Sequence, residues 1–466
     1  MAVGDVPAPG GGPAPRPASA NPLVSGPILN TLVRLSIPNV LAMLMTVLVG
    51  VAETFYIGRL GTTPLAAMAL VFPFSMLTGM MSAGAMGGGV SSAVSRALGA
   101  SDVERANVLA LHAAVIGTLA GIAYSIVFVA VGPALYALLG GRGDVLAQAT
   151  RYGTVLFSAA LLVWLSNTLM SVIRGTGNVR VPAVTMLATS ALQIVLGGTL
   201  GLGLGPVPSF GMVGVAVGQI VSNAVAVAIF AWYLMAGHGR LTLHWRGVAL
   251  NRHMFWDILK VGAVACLSPL QSIATAVIIT GLVARLGVQA LAGYGIGQRL
   301  EFMLIPVAFG IGVAAVPMVG MAIGAGLVAR ARRVAWTAGG LSALNMGVIG
   351  LAVTVAPDLW SSIFTSDPEV LDATRLYLRA AGPAFPFFGL GLTLYFASQG
   401  AGKVGGPVIA STVRLVLIAA VGAALAASGA PAWQFFALIA LGMIIYGTGT
   451  ATAVWRSDWT PRRKAA

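Results

Sequence analysis

The chain is short of charge. Asp, Glu, Lys and Arg supply 8% of its 466 residues, against about a quarter in a soluble globular domain. So few charges cannot cover a water-facing surface, which excludes an ordinary soluble enzyme or binding module and leaves lipid as the solvent. Acid is scarcer still, with 12 Asp and Glu against 26 Lys and Arg and a formal charge of +14. The bases are dispersed between apolar stretches and form no stripe with interleaved aromatics, so nucleic acid is not an expected partner. The one cysteine, Cys266, excludes an internal disulfide and any cysteine-based metal or redox motif. Inside an apolar span it reads as a small packing residue. Residues 1–27 carry Ala, Pro and Gly without an apolar core and read as a tail without fixed structure. They lack the basic start and apolar segment of a signal peptide, so the first span itself is expected to direct insertion. The Gly-rich stretch GAMGGGV at 84–90 lacks the Lys-Ser/Thr ending of a phosphate loop. Close helix packing is its expected role, and neither ATP drive nor a cofactor is expected.

What the chain has in abundance is apolar run. Hydrophobic residues make up 58% of it, and a span needs about 20 of them in sequence. Twelve stretches qualify: 33–57, 65–90, 108–131, 153–173, 181–204, 211–235, 258–283, 289–320, 333–356, 377–399, 404–427 and 431–454. The expected fold class is an all-α membrane protein with twelve transmembrane helices.

The chain also repeats itself. MSVIRGTGNVRVPAV at 170–184 lines up with YFASQGAGKVGGPVI at 395–409, so that Gly177 meets Gly402 and Pro182 meets Pro407 at an offset of 225. GRLG at 58–61 meets ARLG at 284–287 one residue further out. A duplicated half in an apolar chain marks a two-lobed transporter with substrate held between the lobes. The expected divisions are a tail over 1–30, a six-helix lobe over 31–235, a linker over 236–257, a second six-helix lobe over 258–455 and a basic tail over 456–466.

Basic residues set the expected orientation. With both termini in the cytoplasm, the opposite side and remaining span positions hold Arg59, Arg142, Arg151, Arg285, Arg299, Arg375 and Arg379. The other 19 of the 26 bases, Arg414 and Arg246 among them, fall to the cytoplasmic side or adjoining span ends. The expectation is a multi-pass protein of the plasma (inner) membrane, monomeric, with both termini and the 236–257 linker in the cytoplasm.

Within the spans two acids stand out, Glu53 and Glu301. An ionisable residue inside a span costs a few kcal/mol and is retained for function. Glu53 lies about 27 Å along the first helix from Leu35 at 1.5 Å per residue, in the far half of the membrane. Asn39, Met43, Thr46, Gly50 and Glu53 follow the spacing of one helix face, which is expected to point inward. The repeat partner of Glu53 is Ile278 or Ile279, so coupling is expected to be asymmetric. Arg299 and Glu301, two residues apart on the eighth span, do not share a helix face, yet long side chains allow them to meet in a cavity. Ser268, Gln271, Ser272 and Thr275 give the seventh span a polar side. Met76 and Met80, with Phe72, suit either an adaptable substrate wall or packing.

RLSIPNV at 34–40, VAETFYIGRLGTTPLAA at 51–67, VIRGTGNVRVP at 172–182, GLGLGPVPSFGMVGVAVG at 201–218 and RLGVQALAGYGIGQRLE at 285–301 together resemble the multidrug and toxic compound extrusion (MATE) transporters. The resemblance covers nearly everything after residue 30. It implies a V-shaped pair of six-helix lobes that exports organic cations and other amphipathic small molecules against inward proton or sodium flow. It also implies that Glu53 occupies the position of a first-helix aspartate that many members use as the proton or cation site. Many members carry an Asn and, four residues later, an Asp on the fifth helix, where this chain has Gln193 and Gly197. On the sixth, Gln219 replaces a common Thr. The expected site is one carboxylate, Glu53, among the amides of Asn167, Gln193 and Gln219, although the same amides also suit plain interhelical hydrogen bonding. A lone carboxylate among amides suits a protonation switch better than a sodium site. The leading reading is a proton-coupled antiporter, with a sodium-coupled antiporter or a lipid-linked saccharide flippase as alternatives. A flippase is expected to line its cavity with several bases, and Arg299 is the only clear mid-span base in the sequence.

Overall fold

The computed structural model describes residues 22–204, 207–243 and 249–460. The tail up to residue 21, the end from 461, and the bases Arg16, Arg246, Arg462, Arg463 and Lys464 lie outside the described residues. In hydrocarbon a backbone must satisfy its own polar groups, and a chain this apolar does so as helices. Eleven of the described helices are long and apolar enough to span a membrane, and a pair bent by 42° supplies the twelfth. The first lobe holds α1 (Ile28–Leu60), α2 (Thr62–Gly99), α3 (Val103–Leu138), the bent α4 (Gly143–Ser158 and Ala160–Gly175), α5 (Arg180–Leu202) and α6 (Gly211–Met235). The second holds α7 (Arg252–Ala284), α8 (Val288–Gly324), α9 (Val328–Val355), α10 (Pro368–Gly400), α11 (Gly405–Ala427) and α12 (Ala432–Arg456).

The twelve helices extend the twelve apolar runs, and the repeat is visible in the turns. Gly177 and Gly402, both at φ above +70°, close the corner between the fourth and fifth helices of their lobes, a backbone state that glycine adopts without a Cβ clash. The lobes are not identical. Helix α2 contains a π-helical segment, Met80–Met86, and α7 breaks at Cys266. Spacing of apolar residues carries no signal for either feature.

Two boundaries differ from those expected, and the segment past the last helix is packed. The tail does not run to residue 30: Pro22–Ser25 forms a helical turn with Leu23 and Val24 buried, because apolar side chains here find a groove beside Met321 and Val179. The linker ends early, since Asn251 caps His253 N–H and opens α7 at Arg252. The segment after α12 is also held, with Trp459 1% exposed beneath the Arg332 guanidinium and Arg332 donating to the Ser457 carbonyl.

The two lobes meet on the face that carries the linker. A Cβ at Gly89 would stand 2.6 Å from Gly262 N, at Gly99 2.2 Å from Met321 O, and at Gly324 2.1 Å from Arg96 O. Backbones therefore touch directly, the way helices associate where lipid removes the hydrophobic drive. The Gly-rich 84–90 stretch serves this seam, with Gly84 against the Phe309 ring. Cys266 packs beside it, 8% exposed, its Sγ 3.9 Å from Met81 O. Toward the far face, α1 packs on α5 within its own lobe and α8 on α10 within the other.

Candidate functional site

Glu53 is 8% exposed on α1, turned toward α5. Gln193 Nε2 donates to Glu53 Oε1 at 2.7 Å, and Tyr152 of α4 lies within electrostatic reach. The contact follows from how closely α5 is held. A Cβ at Gly218 would lie 2.7 Å from Gly197 N, so α6 presses on α5. On α5's other side Gly197 and Gly198 leave room for the Tyr56 ring, which lies one turn past Glu53 on α1. The aromatic ring fills the space beside the position at which family members place a second acid.

The other amides expected beside Glu53 are engaged elsewhere. Asn167 Nδ2 donates to Ser82 Oγ at 2.8 Å, tying α4 to the π segment. The Gln219 carbonyl accepts from Asn223 Nδ2 at 2.9 Å, and the Gln219 side chain makes no hydrogen bond to Glu53 among the described residues. The four-membered cluster thus reduces to Glu53 and Gln193, because the helix rotations that seat Gln193 carry Asn167 toward α2. Along the expected stripe on α1 burial is uneven. Asn39 is 1% exposed, with Nδ2 on the Leu35 carbonyl and Oδ1 unpaired. Thr46 is exposed and bonds the Ala42 carbonyl.

In the second lobe Glu301 accepts from the Tyr377 hydroxyl. Gly297, one turn earlier, makes the space: a Cβ there would meet the Tyr377 ring at 2.1 Å. Arg299 does not join it. Arg299 is exposed, its guanidinium 5.4 Å from the Phe364 ring centroid, as a two-residue separation on a helix requires. The base near Glu301 is instead Arg414, within electrostatic reach and stacked on Phe388 and Tyr446 at 5.5 and 5.8 Å. Arg414 is the tenth residue of α11, about 13 Å into the membrane at 1.5 Å per residue. Its assignment to the cytoplasmic side is therefore corrected, and Arg299 is not the only mid-span base. An arginine flanked by apolar residues on its own helix shows its partners only once α8, α10 and α12 are packed around it.

Gln271 Nε2 donates to Thr412 Oγ1 at 2.7 Å, joining α7 to α11, while its Oε1 has no partner. Met76 and Met80 are half-buried and Phe72 is 50% exposed. No group of three or more His, Cys, Asp or Glu gathers among the described residues. Tyr152, Tyr56, Tyr377 and Arg414 are contributors that sequence reasoning missed.

Two pseudo-symmetric six-helix lobes, joined on one face and carrying Glu53 and Glu301 within their spans, have the architecture of a two-lobed membrane transporter. The family model MatE matches residues 38–199 and 266–425, one stretch in each lobe, and the chain belongs to that family. It is 26% identical over 398 residues to the FAD transporter of Shewanella oneidensis, covering 85% of this chain and 87% of that one. It is 25% identical over 397 residues to the multidrug export protein MepA of Staphylococcus aureus, covering 84% and 86%. Its fold matches that of a MOP superfamily transporter from Pyrococcus furiosus, described as having a binding pocket of reverse polarity that suggests a different function. That match has a TM-score of 0.86 at 22% identity and covers 96% of this chain and 98% of the other.

Proposed function

We propose that the protein exports amphipathic or cationic small molecules in exchange for protons, with Glu53 as the proton carrier. The observation that carries this reading is the Gln193 amide on Glu53 Oε1 at 2.7 Å, with Gly197 in place of a second acid. An amide N–H donates only to the carboxyl's oxygen and leaves the other oxygen free to take a proton. A sodium ion needs several hard oxygens around it, and a single carboxylate beside an amide nitrogen is a poor start on that shell. Protonation removes the charge and favours repacking of α1 on its lobe. Substrate and proton then exclude one another through the same helix, which is antiport.

The relatives support the substrate class only broadly, since one exports multiple drugs and another carries FAD. Arg414 is a single mid-span base with Glu301 in electrostatic reach, whereas a phosphate-bearing lipid calls for several bases around its cavity. A flippase therefore stays the second reading. The orientation that goes with the proposal is an inner-membrane monomer with both termini cytoplasmic and the cleft opening outward. Proteoliposomes decide the coupling: efflux driven by a pH gradient at constant sodium is expected, and robust efflux with a sodium gradient alone overturns it.

A further inference from the structure

Asp257 is 3% exposed on the first turns of α7, and three bases converge on it. Arg96 Nη2 of α2 reaches Oδ1 at 3.3 Å and Arg105 Nη2 of α3 reaches Oδ2 at 2.7 Å. Lys260 Nζ, on the same helix as Asp257, reaches Oδ1 at 2.5 Å. Two of the three therefore come from the other lobe. Arg96 also donates to Ser92 Oγ, which in turn donates to the Gln399 carbonyl at the end of α10. This chain of bonds crosses the seam on its linker face and takes no part in the Glu53 site.

We propose that Asp257 is the latch of a linker-side gate: its ties to Arg96 and Arg105 hold the lobes together on that face, and their release opens the cleft to it. The inference rests on membership of a transporter family and not on the proton reading. Two features fit a contact built to open. A buried ion pair is close to neutral against hydrated charges, so it locks geometry without a deep well. When the lobes part, water reaches all four groups together. The seam beside it also packs Met86 and Val94 of one lobe against Val316 and Phe396 of the other, so the charged ties act alongside apolar contacts. Both side-chain polar atoms of Gln399, 0% exposed against Gly88, lack partners while the seam is closed and gain water when it opens. Without Asp257, the two guanidiniums and the ammonium repel across the seam.

The test uses the full chain in nanodiscs with Cys266→Ser and spin labels at Val103→Cys and Ala329→Cys, at the starts of α3 and α9 on the linker face. Asp257→Asn is expected to raise the long-distance population on the order of tenfold, and Arg105→Gln to raise it in the same direction. Lys260→Gln, which removes only the same-helix partner, is expected to leave the distribution unchanged. If Asp257→Asn does not fold, Arg105→Gln against Lys260→Gln decides. The proposal is overturned if Arg105→Gln lowers thermal stability without moving the distances, or if Lys260→Gln moves them equally.

Discussion

Gln193 Nε2 donates to Glu53 Oε1 at 2.7 Å across the contact between α1 and α5, joining two residues 140 positions apart in the chain. That bond gives the buried carboxylate one fixed neighbour and leaves its second oxygen uncommitted. Its consequences are open to direct measurement.

Replacing the carboxyl by an amide keeps the shape and removes the titrating group. Glu53→Gln is expected to cut proton-coupled exchange at least about a hundredfold, the weight of roughly 3 kcal/mol lost from the coupled step. Expression and melting temperature in detergent should stay near the parent's. Normal exchange of substrate for protons by Glu53→Gln vesicles would falsify the carrier assignment.

Gly197 faces the Tyr56 ring, and a Cβ added there meets it at 3.7 Å, an ordinary contact. A Cβ is therefore accommodated, and the carboxylate of Gly197→Asp takes its place by turning the Tyr56 ring aside. The substitution should place a second carboxylate near Glu53 and introduce sodium-dependent transport, which on the proton reading the parent lacks. Transport assayed with and without sodium at fixed pH checks this; a variant that folds and stays indifferent to sodium removes the argument from the missing acid.

Arg414 and Glu301 lie within electrostatic reach of one another inside the second lobe, without a direct ion pair among the described residues. Removing the base strands a carboxylate among Tyr294, Tyr377 and apolar side chains. Arg414→Met alone is expected to destabilise the protein by about 3 kcal/mol, and Arg414→Met with Glu301→Gln to recover most of it, because the double change leaves no uncompensated charge. Thermal unfolding of the two single variants and the double in detergent gives the coupling. Strictly additive effects would show that the two groups act independently.

Topology has its own check. In a Cys266→Ser background, a cysteine at Leu250, 57% exposed at the end of the linker, should react with a membrane-impermeant reagent only after the cells are opened. One at Leu138, 82% exposed at the far end of α3, should react in intact cells. The reverse pattern inverts the orientation.

How much of this was legible in the chain varies with the range of the interaction. The spans were readable because each is a local run of apolar residues, and a helix in lipid satisfies its backbone within that run. The doubling was readable because equivalent corners need the same residues, as Gly177 and Gly402 show. Glu53 stood out because a charge in such a run is expensive wherever it lies. Asn167 and Gln193 looked alike in sequence, and only packing separated them. The rotation of α5, set by Gly197 and Gly218 in contact, brings Gln193 to Glu53, whereas α4 turns Asn167 toward Ser82. The same holds for Arg414, which a count along the chain sends to a helix end and the fold seats between α8 and α12. It holds again for Asp257, an acid in a basic linker until α2 and α3 close over it. Composition and periodicity act through the solvent and through residues a few positions apart, so they determine which segments span and where the chain turns. Partners across helices depend on crossing and rotation, which arise from side-chain volumes meeting between segments far apart in sequence. Those the tertiary structure alone decided.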